Sequence, residues 1–168
     1  MIEKYHRQLE GSASATLQCQ TGRPHRILVV DDEPLILRLN TQMLFGAGYN
    51  VDAAADGADA WDTLQLNCYD LMITDNNMPK VSGVELIQKV HVARMTLPVI
   101  MATGALPTEE FARYPHLQPA AIMLKPYTSE EFLGMVREVL RATDGTREQT
   151  ALQPYWQNQP LADGLQLQ

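Results

Sequence analysis

Short apolar runs alternate with amphipathic stretches through the middle of this chain, and the alternation predicts its elements. Residues 27–30, Ile27-Leu28-Val29-Val30, form a run of strand length that is rich in β-branched side chains and ends in acids. Pro34 then opens a segment whose apolar residues Leu35, Ile36, Leu39, Met43 and Leu44 recur at helical spacing, and Gly46 and Gly48 close it. Residues 51–55 make a weaker strand, followed by a helix carrying Ala58, Trp61 and Leu64. Residues 71–74 are a third strand, and Val84, Ile87 and Val90 mark the next helix. A fourth strand at 98–102 leads to a short helix at 108–113, and a fifth strand follows at 120–124. The final helix opens with the capping box Thr128-x-x-Glu131 and buries Phe132, Met135, Val136 and Val139.

Five βα units with strands apolar almost throughout predict a parallel sheet covered by helices on both faces. Right-handed crossovers turn that pattern into a doubly wound (βα)5 sandwich, an α/β fold in which ligands collect at the carboxyl ends of the strands. The flanks read differently. Residues 1–25 are a polar extension, within which 2–9 have the makings of a short helix. Residues 26–141 form the domain, and 142–168 are a tail rich in Gln and Pro in which Tyr155-Trp156 is a docking candidate.

Composition narrows the class. A length of 168 residues suits one packed domain with tails rather than two. The formal net charge of -7 lies wholly in the central part, where residues 26–140 hold 8 Lys/Arg against 15 Asp/Glu. Such a balance argues against direct nucleic-acid binding. The two cysteines, Cys19 and Cys68, fit neither a metal site nor a disulfide framework, and no run is long enough to span a membrane. A cytoplasmic protein without membrane association is the expectation.

The residues at the strand ends carry the chemistry. Asp31 and Asp32 follow the first strand, Asp75 the third, Thr103 the fourth and Lys125 the fifth, so the topology brings three carboxylates, a hydroxyl and an ammonium to one edge. Three carboxylates at close range repel unless a cation sits among them. Oxygen-only ligands in a partly open site suit Mg²⁺, which keeps several waters and often shares its shell with a phosphate. With Lys125 and Thr103 alongside, the set suits a phosphoryl group carried on a carboxylate.

Four motifs, VVDDEP at 29–34, DNNMPKVSG at 75–83, MATG at 101–104 and MLKPY at 123–127, resemble those of the response-regulator receiver domains of two-component signalling, in the family's order and over residues from about 25 to 142. The resemblance implies a CheY-like, flavodoxin-like fold. It implies Asp75 as the phospho-acceptor, Asp31, Asp32 and Asp75 as ligands of Mg²⁺ (or Mn²⁺), and the backbone carbonyl of Asn77 completing the protein ligands. Thr103 would bond the phosphoryl oxygen, Lys125 would pair with it, and the Lys125-Pro126 bond would be cis. A histidine kinase or histidine phosphotransfer protein would be the donor, and a downstream protein, unnamed by the sequence, the receiver of the signal; a homodimer stays open. One departure stands out: the family's aromatic switch position, three before the lysine, holds Ile122, which puts the coupling of hydroxyl to aromatic in question.

Plainer roles compete at each position. Asp31 and Asp32 precede Pro34 as helix-capping acids do, Thr103-Gly104 is common loop chemistry, and Glu33 is an ordinary first-turn acid. Gly83 reads as a turn or helix-start residue, His91 as exposed and inert, and Trp61 and Phe132 as core. Neither flank is expected to fold into a helix-turn-helix or a catalytic module, which predicts a switch that stands alone and catalyses only its own aspartyl phosphorylation and dephosphorylation. Two alternatives are a degenerate receiver serving as an interaction module, and a phosphatase with Asp31 as nucleophile. The latter chemistry wants Asp-x-Asp, where this chain has Asp31-Asp32-Glu33-Pro34.

Overall fold

A computed structural model describes residues 23–151. The N-terminal segment, with Cys19 and the helix expected at 2–9, and the Tyr155-Trp156 pair lie outside the described residues. The strands are β1 (Arg26–Val30), β2 (Asn50–Ala54), β3 (Leu71–Thr74), β4 (Val99–Thr103) and β5 (Ala121–Leu124). The helices are α1 (Pro34–Gly46), α2 (Gly57–Leu66), α3 (Gly83–Val92), α4 (Thr108–Arg113) and α5 (Ser129–Ala151). All strand pairs are parallel, in the order β2-β1-β3-β4-β5. This is the doubly wound sandwich that the alternation predicts.

Side-chain alternation sorts the core into two layers. Leu28, Val30, Met72, Val99 and Met101 point to the face covered by α2 and α3, where Leu64, Leu86, Ile87 and Val90 meet them. Ile27, Val29, Leu71, Ile73, Ile100 and Ala102 point to the other face, under Leu44 of α1 and Phe132, Val136 and Leu140 of α5. Phe132 is fully buried, a contribution of roughly 1.5–3 kcal/mol for a side chain of that size. Trp61, expected in the core, is only half-buried, and the Lys89 ammonium lies over its ring at 5.3 Å.

Three details depart from the sequence reading. Pairing carries β4 one residue further than 98–102, so Thr103 is the last residue of the strand, opposite Leu124. The inner stripe of α1 is turned: Leu35 and Leu39 are 61% and 45% exposed, while Asn40 is buried and Leu37 packs on the core. Helix α5 continues past residue 142 to Ala151, with Thr143 and Thr146 hydroxyls donating to the carbonyls four residues back, and Asp144 reaching His25 Nε2 at 3.4 Å. Among the described residues no helix is long and apolar enough to cross a membrane.

The strand order places a topological switch between β1 and β3, whose outgoing chains leave toward opposite faces and open a crevice at their carboxyl ends. The chain after β3 is held tightly there. Gly83, first residue of α3, lies so close to it that a Cβ would fall on the Asp75 carbonyl oxygen and 2.9 Å from Asn76 Cα. Gly83→Ala is therefore expected to cost roughly 1–3 kcal/mol of stability in urea denaturation. Gly46→Ala, where a Cβ meets open space, is expected to match or slightly exceed wild type.

Candidate functional site

The crevice between β1 and β3 receives one residue from each of three strand ends. Asp31 follows β1 and is 3% exposed; its amide donates to the Ala54 carbonyl at 3.3 Å. Asp75 follows β3, with its amide on the Val30 carbonyl at 3.0 Å, so the β1–β3 ladder itself sets the spacing of the two acids. Lys125 follows β5, its amide donating to the Thr103 carbonyl at 2.9 Å, and the Lys125-Pro126 bond is cis.

The ammonium of Lys125 donates to Asp31 Oδ2 at 2.7 Å and to Asp75 Oδ2 at 3.1 Å. The remaining oxygens are held by backbone: Asp31 Oδ1 accepts from the Glu33 amide at 3.0 Å, and Asp75 Oδ1 from the Asn76 amide at 2.6 Å. Burial pulls the Lys125 ammonium down, but hydrogen bonding and attraction from Asp31, then Asp75, outweigh it and leave the group above its ordinary value. Asp32 is exposed, and carboxylate oxygens of Asp31, Asp32 and Asp75 all lie within 4.8 Å of one another. That set of hard oxygen donors, part buried and part open, fits a divalent cation of the Mg²⁺ type.

The other expected residues are less closely gathered. Thr103 is fully buried, and its hydroxyl donates to the Ala105 carbonyl at 3.1 Å. Asn77 sits exposed in the turn directly after Asp75 and Asn76. Ile122 is half-buried against the layer formed with α2 and α3.

Several supporting residues carry no sequence signal of their own. Asn76 organises the loop after β3: its carbonyl accepts from the Met78 and Gly83 amides at 3.0 and 3.1 Å, and its side-chain oxygen accepts from the Val84 amide at 3.1 Å. Lys80 takes a left-handed φ of 66° and pairs with Asp56 at 2.5 Å. Asp56 also caps α2 through the Ala58 and Asp59 amides at 2.8 and 3.0 Å. On the other side of the site the Asn40 amide donates to the Tyr127 hydroxyl at 3.0 Å, and Tyr127 stacks on Phe132 at 5.5 Å between centroids. Burial pushes the Tyr127 phenol up. Apolar periodicity alone places Asn40 outside, and the one mark of this contact in the sequence is the Tyr that follows the Lys-Pro pair.

Comparison with known proteins gives a family for this arrangement. Residues 27–137 match the response regulator receiver domain. Sensor histidine kinase RcsC of Salmonella typhimurium is 35% identical over 120 residues, covering 70% of this chain and 13% of that protein. Transcriptional regulatory protein DltR of Streptococcus agalactiae is 32% identical over 112 residues, covering 67% of this chain and 50% of that protein. The chain thus corresponds to half or less of these relatives. The crystal structure of a CheY-like response regulator receiver domain protein from Methanospirillum hungatei superposes with a TM-score of 0.69 at 28% identity, over 73% of this chain and 98% of that one.

Two expectations follow from the geometry. Three carboxylates this close repel in the absence of a cation, so Asp32→Asn is expected to stabilise the Mg²⁺-free protein by about 1 kcal/mol at low salt. Adding Mg²⁺ should then raise the melting midpoint of wild type more than that of the variant, read by thermal denaturation. The Lys80 ammonium, then the Asp59 amide, holds the Asp56 carboxyl below its ordinary 3.8. A lowered carboxyl contributes stability that is complete above the unfolded value and fades as pH falls through the folded one. The stability gap between wild type and Asp56→Asn is expected to be constant above that value and to shrink as pH drops beneath it, measured by urea denaturation across acid pH.

Proposed function

Because the chain belongs to the response regulator receiver domain family, we propose that it is a phosphorylation-dependent switch that accepts a phosphoryl group on Asp75 from a phospho-histidine of a kinase or phosphotransfer protein. The observation that carries this reading is the shared Lys125 ammonium, which joins Asp75 to Asp31 at the mouth of the crevice. A carboxylate oxygen of Asp75 attacks phosphorus, the phosphorus–nitrogen bond breaks, and the donor imidazole, protonated on its other ring nitrogen, departs neutral with the electron pair of that bond. Asp31, Asp32, Asp75 and the Asn77 carbonyl would hold Mg²⁺, which when bound supplies charge neutralisation to the phosphoryl oxygens. Lys125 then exchanges a carboxylate for a phosphoryl oxygen, and the Thr103 hydroxyl must leave the Ala105 carbonyl to donate to another. Donor and downstream partner are part of the same reading, as is activity confined to the protein's own phospho-aspartate.

Accessibility favours Asp75 over Asp31 as nucleophile. The Asp31 side chain is 3% exposed against 12% for Asp75, and it is Asp75 that a phosphoryl donor can reach. The aliphatic Ile122 supports a second reading, in which phosphate is accepted with little response beyond the site. Labelling with acetyl phosphate and Mg²⁺ is expected to modify wild type and to leave Asp75→Ala blank. Equal labelling of that variant, or a phosphate mapped to Asp31, would sink the assignment. Backbone NMR shifts on adding beryllofluoride separate the two forms of the switch: changes confined to the crevice favour the weakly responding one.

A further inference from the structure

His91 and His116 come from different elements and meet at the surface, on the side of the sheet covered by α3. His91 occupies the last turn of α3, and its carbonyl accepts from the Arg94 amide at 2.9 Å. His116 lies between α4 and β5 in a turn closed by the Leu117 amide on the Tyr114 carbonyl at 3.0 Å. Leu117 itself is 1% exposed and belongs to the same core layer as Val90 of α3. Both backbones are thus anchored from within, while both imidazoles are exposed. Their ring centroids lie 5.3 Å apart with planes tilted by 55°, and Tyr114 stands edge-on to His116 at 6.2 Å. Among the described residues neither ring has a hydrogen-bond or ion-pair partner.

Two imidazoles bound to one ion stand at a similar spacing. A metal–imidazole bond of about 2.0–2.1 Å, with the ring centre about 1.1 Å further on, puts two rings on a tetrahedral ion about 5.2 Å apart. We propose that His91 and His116 form a binding site for a divalent late first-row transition ion, Zn²⁺ or Cu²⁺, held by one nitrogen of each ring with water completing the shell. Imidazole suits these ions, whereas the all-oxygen cluster at Asp31, Asp32 and Asp75 suits Mg²⁺, so the two sites select different metals. The formal net charge of -7 draws cations to the surface. A bound ion would tie the end of α3 to the chain leading into β5, independently of any phosphoryl group on Asp75.

The test uses the full chain in excess Mg²⁺, which keeps the acidic cluster occupied. Cu²⁺ is added to one equivalent and followed by electron paramagnetic resonance, and Zn²⁺ binding is followed by calorimetry. The expected result is a single site with two nitrogen donors, weakened about tenfold or more in His91→Asn and in His116→Asn, and unchanged in His25→Asn. Because both imidazoles are exposed, the two variants should melt with wild type in the absence of transition metal. An oxygen-only copper signal, a single nitrogen donor, or binding that survives both substitutions would overturn the proposal. So would binding lost in His25→Asn.

Discussion

Three carboxylates cannot share one crevice without a cation, and Lys125 is the residue that makes this fold tolerate them. Its ammonium lies 2.7 Å from Asp31 and 3.1 Å from Asp75, and the residue follows β5, which is itself separated from β3 by β4. The ion pairs therefore close the carboxyl edge of the sheet across two strand intervals to Asp75 and three to Asp31. A surface pair of this kind would be worth little. Here Asp31 is buried, and removing the lysine would leave its charge with only a backbone amide, which is the costly way to break such a contact.

The same constraint explains why so many backbone bonds converge on the acids. The Asp75 amide binds β1, the Asp31 amide binds β2, and the Lys125 amide binds β4. Each charged side chain thus starts from a strand end already fixed by its neighbour, so its position costs little ordering at the moment of reaction. Asn76 does the equivalent for the loop, using its carbonyl and its side-chain oxygen to satisfy three amides that would otherwise point into a tight turn.

Much of this is legible in the sequence because continuous apolar strands and their trailing polar residues leave a direct mark. The run Leu71-Met72-Ile73 gave β3, and the residue positions of Asp31, Asp32, Asp75 and Lys125 fell out of the topology alone. What could not be read were contacts between residues remote in sequence. The inner face of α1 was misplaced because Asn40 looks like a solvent position until Tyr127, 87 residues away, is set against it. Lys80 and Asp56 are separated by 24 residues and look like ordinary surface charges apart. The contact of His91 with His116 is hidden for the same reason, since the two belong to different elements. The extent of α5 escaped a different way, since a Gln-rich composition suggested a tail where hydroxyl back-bonds and the contact with His25 continue the helix.

Helix α5 gives the site a lever. It begins at Ser129, four residues after Lys125, and its 23 residues make a rod about 34 Å long at 1.5 Å per residue. A tilt of about 5° at the end nearest the lysine moves the far end by about 3 Å, a magnification no residue in the crevice could achieve alone. Stacked Tyr127 and Phe132 sit at the fulcrum, and His25 with Asp144 forms a stay partway along the arm. A small tilt set at the lysine end would therefore reach the far end of the helix as a displacement on the scale of a side chain, remote from the carboxylates.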